Sequence, residues 1–145
     1  MLEPAGDTMT AQLLVNIDVD DLERAIAFYG AALGLRVNRR FGTSGAELLG
    51  AGTPIFVLAK PAGTPASSTS ADVRRYERHW TPVHVDFVVP DIDAAVRRAR
   101  AAGAVLEDRL ATHAWGHIAH FADPFGHGFC LIELRGRGYD EIATD

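Results

Sequence analysis

VDDLERAIAFYGAALGL, residues 19–35, reads as a helix entered from a strand. Asp20 stands where a side chain can cap the first turn, and Glu23 follows at capping-box spacing. Leu22, Ala25, Ile26, Tyr29, Ala32 and Leu33 fall on one helical face, and Gly34 supplies a left-handed stop. The stretch VPDIDAAVRRARAAGAV, residues 89–105, has the same form: Ile92, Ala95, Val96, Ala99 and Ala102 make the apolar face and Gly103 the stop. From Ile92 to Ala102 each of these stands 70 residues after its counterpart. The strands before the helices match at that offset as well, LLVNIDV (13–19) with VHVDFVV (83–89). Any two helices share a period, but a matched strand, helix face and stop together indicate a duplicated unit.

Strand-like runs follow each helix. They cover roughly 36–41, 46–49 and 55–60 in the first half and 105–110, 117–122 and 128–134 in the second. Each half therefore reads β-α-β-β-β, and the expected class is α+β. The division expected is a tail at 1–10, a first module at 11–60, a linker or lid at 61–80, a second module at 81–135 and a C-terminal tail at 136–145. Residues 61–70 are rich in Pro, Gly, Ser and Thr, as a linker is, and 71–79 are charged enough to form a short helix or a loop closing over a site.

The net charge of −5 argues against a nucleic-acid or anionic-membrane surface, and the basic residues are almost all arginine, Lys60 being the lone lysine. No apolar run approaches the roughly 20 residues of a membrane span. The start MLEPAGDTMT lacks the features of a secretory leader, and the single cysteine excludes an internal disulfide; a reducing cytoplasm is the expected compartment.

The paired modules, with DLERAIAFYGAALGL in the first and HVDFVVPDIDAAVRRARAAGA plus FADPFGHGF in the second, resemble the vicinal oxygen chelate superfamily. That group includes glyoxalase I, extradiol dioxygenases, epimerases and bleomycin-resistance proteins. The resemblance covers about residues 12 to 134. It implies two tandem βαβββ modules forming curled mixed sheets around a cavity, often in a homodimer. It also implies, in the metal-using members, ligands on the first and last strands of each module. Counting seven residues back from Asp21 and Asp91 puts these positions at Leu14 and His84, and seven on from Asp123 at Cys130; Phe56 is the best match for the fourth. Leucine and phenylalanine carry no donor atom, so the expectation is no metal and no cofactor.

Alternation along the strands then assigns the pocket face. Leu14, Asn16 and Asp18 share one side of the first strand, and His84 and Asp86 share one side of the strand at 83–89. Phe56 with Leu58, and Cys130 with Ile132, complete the walls, and Trp115 is a candidate aromatic wall or lid. Cys130 reads equally as a small buried apolar residue and as a reactive thiol. His113, His117 and His120 have metal-like spacing, but Gly116 breaks a helix, and on a strand His117 and His120 point to opposite faces. His127 falls in the turn after Asp-Pro-Phe-Gly and reads as a solvated turn residue.

The expected function is binding of a small organic molecule in a metal-free cavity, as in antibiotic or metabolite sequestration, with a homodimer and neither nucleic acid nor membrane as partner. The alternative is an enzyme of the glyoxalase, epimerase or dioxygenase type. It would use an atypical metal site, or His84 and Asp86 as an acid–base pair.

Overall fold

A computed structural model describes residues 10–144. Most of the stretch expected to be an N-terminal tail, 1–9, lies outside the described residues. The first module comprises β1 (Val15–Val19), α1 (Leu22–Leu33), β2 (Arg36–Arg40), β3 (Gly45–Leu49) and β4 (Ile55–Ala59). The second comprises β5 (Val85–Val88), α2 (Ile92–Ala102), β6 (Val105–Leu106), β7 (Ala111–His113), β8 (Gly116–Ala122) and β9 (Gly128–Leu134).

The duplication is visible in backbone angles. Asp21 caps α1 at φ −139°, ψ 102°, and Asp91 caps α2 at φ −143°, ψ 102°, and each side chain accepts from the amide three residues on. The cap of α1 is thus Asp21 and not Asp20: the Asp21 carboxylate reaches the Arg24 amide at 3.0 Å. No capping box forms, because with Asp21 as the cap the third helical residue is Arg24, and Glu23 pairs with Arg40 at 2.9 Å. Both helices stop at a glycine in the left-handed region, Gly34 at φ 71° and Gly103 at φ 113°, where a Cβ would be strained.

In the first module the strand order is β1-β4-β3-β2, with β1 parallel to β4 and the other pairs antiparallel. In the second it is β5-β9-β8-β6, with β5 parallel to β9 and β7 also paired to β8. The run expected as one strand over 105–110 is broken into β6 and β7. Between them Asp108 accepts its neighbour's amide at 2.8 Å, a local turn bond that competes with the ladder. At the other edge β2 is exposed throughout and carries Arg36, Arg39 and Arg40, charges that discourage edge-to-edge pairing.

Leu22, Ala25, Phe28, Tyr29 and Ala32 of α1 and Ile92, Ala95 and Ala99 of α2 are buried, and the two helices pack against each other. Phe28 meets Tyr29 and Phe129 edge to face, and Phe121 stacks on Phe129 at 5.5 Å. The buried apolar residues form one cluster spanning both modules. Among the described residues no helix is long and apolar enough to cross a membrane.

No helix forms over 71–79. The segment from Pro61 to Pro82 is an irregular strap: residues 63–74 double back around one isolated bridge, Pro65 to Val73, and the chain then runs on to Pro82. It is tied to both modules. Arg74 bonds Asp18 on β1 at 2.8 Å, the Tyr76 hydroxyl donates to the Lys60 carbonyl, and Arg78 pairs with Glu107 beyond β6. At the C-terminus, Gly138–Glu141 form a single 3-10 turn within the stretch expected to be a tail, and Tyr139 lies 5.3 Å from the Trp115 ring.

Candidate functional site

Under the strap are two clefts, one over the sheet of the second module and one at the seam between the two modules. The first, about 210 Å³, is walled by Arg78, His79, Trp80 and Thr81 of the strap, by His84 and Glu107, and by the β8 and β9 residues His120, Phe121, Gly128, Phe129 and Cys130. The second, about 300 Å³, is bounded by Val15 to Asp18 of β1, Tyr29, Val83 to Val85, Phe87 and His127. The clefts share His79, Thr81, His84, Gly128 and Phe129. Drug-sized ligands occupy about 300–1,000 Å³, so the first cleft alone suits a fragment and the joined pair a larger molecule.

Register explains which side chains meet. The parallel pairing of β5 and β9 sets Asp86 opposite Cys130, and the antiparallel pairing of β8 and β9 sets His120 opposite the same Cys130. One row across the concave face is therefore Asp86, Cys130, His120. Glu107, whose amide donates to the His120 carbonyl, extends it.

Asp86 is the hub of this row. Its carboxylate lies 3.0 Å from His84 Nδ1, and Cys130 stands opposite it on β9. The ring–carboxylate contact along a single strand, which alternation alone does not require, is made because His84 stands just outside β5, where the chain is free to turn. Asp86 fixes the Nδ1–H tautomer and leaves His84 Nε2 as an acceptor. Burial, followed by the charge of Asp86, pushes the Cys130 thiol up to about 12, so it is a protonated donor and not a nucleophile at neutral pH. Opposite, the Arg78 guanidinium holds the Glu107 carboxyl below its ordinary value.

Of the residues expected to line the pocket, Asn16, Asp18, His84 and Cys130 do so, with Asp86 directly behind His84 and Cys130. The others stand elsewhere. Leu14 precedes β1 and is 48% exposed, away from both clefts. Phe56 shares a face with Asn16 but stacks on Phe41 at 6.2 Å, and Leu58 packs over Gly45. Ile132 is buried in the row beyond Cys130, opposite Val88 and Ile118. Trp115 stacks on His113 at 5.0 Å and faces Tyr139, away from the clefts.

One histidine takes the single cavity place that strand alternation allows, and another changes role. His120 lines the cleft while His117 bonds Thr112 at 3.0 Å, so the three histidines at 113–120 do not converge. His127 is no solvated turn residue: it lies half-buried between His79, 3.2 Å away, and the Asp18 carbonyl, 2.6 Å away. Arg78 and His79 belong to the 71–79 stretch expected as a short helix or a closing loop, and they close the site as a loop; Trp80, Thr81, Glu107 and the apolar residues Val15, Ile17, Val85, Phe87 and Phe129 are parts of the lining not expected from sequence. The one signal pointing to the strap residues is the charged, aromatic run RRYERHW at 74–80 inside a linker composition.

The four-position metal cage implied by the family resemblance does not fit these residues. Leu14 and Phe56 have no donor atoms and stand outside the clefts. What remains is a three-donor group in the second module, His84, Asp86 and Cys130, with one ligand atom of each within 4.8 Å of the others.

Comparison with known proteins agrees with this architecture. The glyoxalase-like domain family matches residues 14–132. The anthracycline biosynthesis protein DnrV of Streptomyces peucetius is 34% identical over 131 residues, covering 89% of this chain and 43% of that protein. The chain thus spans about two fifths of the length of the anthracycline relatives it matches. The uncharacterized protein Rv0887c of Mycobacterium tuberculosis (strain ATCC 25618 / H37Rv) is 32% identical over 148 residues, covering 96% of this chain and 86% of that one. Among solved structures, TioX from Micromonospora sp. ML1 superposes with a TM-score of 0.65 at 23% identity, over 86% of this chain and 99% of that one. The fosfomycin resistance protein FosX from Listeria monocytogenes gives 0.65 at 20% identity, over 90% and 98%.

Proposed function

The chain belongs to the glyoxalase-like family of the vicinal oxygen chelate superfamily, and from that premise we propose that it binds a small, flat, mostly uncharged organic molecule along the seam under its strap, without a metal. The observation that carries this reading is the composition of the two joined clefts. The positions of the family's metal cage in the first module hold hydrocarbon, while the walls combine aromatic surface with imidazoles. Trp80, Phe121 and Phe129 suit a ring system. His79, His84 and His120 suit hydroxyl or carbonyl groups at its edge. The charged lining groups are already paired, Arg78 with Glu107 and Arg74 with Asp18, which disfavours a strongly ionic ligand. Two relatives named as anthracycline biosynthesis proteins, and a structural neighbour named as a fosfomycin resistance protein, support antibiotic-like or other secondary metabolites as the class.

The test is a thermal-shift screen with planar aromatic polyketides, including an anthracycline aglycone, followed by calorimetry. A binder at 100 times its Kd stabilises by about 2.7 kcal/mol. For a domain of this size that is a shift of several degrees, about 2–4 °C per kcal/mol. Absence of any concentration-dependent shift across the panel sinks the reading.

A second reading, an enzyme of the same superfamily, is favoured by the His84–Asp86–Cys130 group. Three protein ligands with an open position is the pattern of a catalytic zinc site, and a bound ion would supply Lewis acidity. Without an ion, His84 Nε2 is placed to take a proton from a ligand hydroxyl or an acidic C–H. Cobalt(II) titration separates these. A thiolate-to-cobalt absorption band that disappears in Cys130→Ser supports the ion, and its absence excludes it.

A further inference from the structure

We propose that closing the strap over the seam takes up one proton per chain, held between His79 and His127. This goes beyond the binding proposal and does not depend on what the clefts take. Three contacts run in line from the strap to β1. His79 Nδ1 lies 3.1 Å from the Glu77 carbonyl oxygen, His79 Nε2 lies 3.2 Å from His127 Nδ1, and His127 Nε2 lies 2.6 Å from the Asp18 carbonyl oxygen. Carbonyl oxygens only accept, so the nitrogen at each end of the line must carry a hydrogen. The middle contact joins two ring nitrogens and needs one hydrogen between them. The line therefore requires three ring protons, whereas two neutral imidazoles carry two. It is complete only when the pair bears one extra proton and a net positive charge.

When that proton leaves, one contact must fail, either the Glu77 bond or the bond between the rings. His127 stays with Asp18 through the shortest of the three bonds, so the failure falls on His79 and the strap end it anchors. The neighbouring charged and titratable groups are already engaged. The Asp18 carboxylate is on Arg74, the Glu77 carboxylate on Arg75, and Glu107 on Arg78, which also donates to the His79 carbonyl. Asp123, at the turn carrying His127, accepts from the Tyr29 hydroxyl and two backbone amides. Asp20 lies near Tyr76, whose ring is 6.3 Å from His127, and His84 lines the same cleft as both imidazoles but is bonded to Asp86. None of these groups can supply the missing hydrogen along the line. The proton-bound form is the closed one, so closure strengthens on acidification and weakens as the proton leaves.

The experiment is amide hydrogen exchange of residues 77–80 at about pH 6 and about pH 8.5, corrected for intrinsic rates, with nitrogen NMR of the labelled imidazoles. The expected result is one extra proton on the pair at the lower pH, His127 as its Nε2–H tautomer, and exchange about two- to tenfold slower there, the weight of one net hydrogen bond. His79→Ala should remove the pH dependence, and so should His127→Gln, which keeps a donor for the Asp18 carbonyl but has no titrating ring. Two neutral rings at the lower pH, or a pH dependence that survives in either folded variant, overturns the proposal.

Discussion

Asp123 is 4% exposed, and its two carboxylate oxygens serve three donors. The Tyr29 hydroxyl of α1 reaches one at 2.5 Å, and the amides of Phe125 and His127 reach the other at 2.8 and 2.9 Å. A residue that shapes a turn in one module thus pins a helix of the other. Burial raises the Tyr29 phenol well above its ordinary value, and the charge of Asp123 adds to the effect. Tyr29→Phe leaves a buried carboxylate oxygen without its donor, and we expect a loss of about 1–3 kcal/mol in urea unfolding. A loss below a few tenths would mean water replaces the hydroxyl. Glu47 makes a different prediction. Arg39 grips its carboxylate bidentately and Asn38 adds a third bond, lowering its pKa from 4.5 to about 2. A carboxyl held below its unfolded value stabilises fully above pH 4.5 and loses that contribution as pH falls toward 2. An acid titration should show this loss in the wild type and a smaller one in Arg39→Met; equal slopes would remove the pair from the account.

At the scale of elements, the strap and the Asp123–Gly128 turn are fitted to each other. Gly126 sits at φ 86°, and a Cβ there would run into the Glu77 carbonyl. Gly126→Ala should therefore lift the strap and destabilise the fold by about 1 kcal/mol or more, with faster exchange at residues 77–80. Unchanged exchange would mean the strap does not rest on the turn. The same fit marks where sequence stops being informative. The helices, their stops and most strand bounds were legible because each follows from local chemistry: apolar spacing, a left-handed glycine, alternation in IFVLA and GFCLIEL. Asp86 and Cys130 were legible because strand register sets them side by side, and His84, one residue outside β5, joins them through its contact with Asp86. The strap was legible only as a helix or a closing loop, because an irregular segment has no period. Its placement follows from Arg74 on Asp18, Arg78 on Glu107 and His79 on His127, partners between 29 and 56 residues away. Alternation also put Leu14, Phe56, Leu58 and Ile132 on the pocket wall, but Leu14 precedes β1, Phe56 stacks on Phe41, Leu58 packs over Gly45, and Ile132 is buried between Val88 and Ile118.

For the molecule as a whole, the question is whether two modules of near-identical plan unfold as one. Each is about 50 residues, a size at which a separate core is marginal. The buried cluster runs through both, and α1 packs on α2 across the seam. Ala25, Ala32, Ala95 and Ala99 are fully buried on those helices, small side chains that leave little room at the helix faces. Polar links cross at the same place: Tyr29 to Asp123, and His127 to the Asp18 carbonyl. The second cleft takes its walls from both modules, so a ligand there and module docking draw on the same surface. The expected behaviour is a single transition, with slowly exchanging amides of β4 and β9 reporting one common unfolding free energy. Ala95→Leu, which overfills the core of the second module, should cost about 1–3 kcal/mol and lower protection equally in β4 of the first. Protection lost in β9 but retained in β4 would show two independent folding units, and the seam would then be a contact between domains and not the centre of one core.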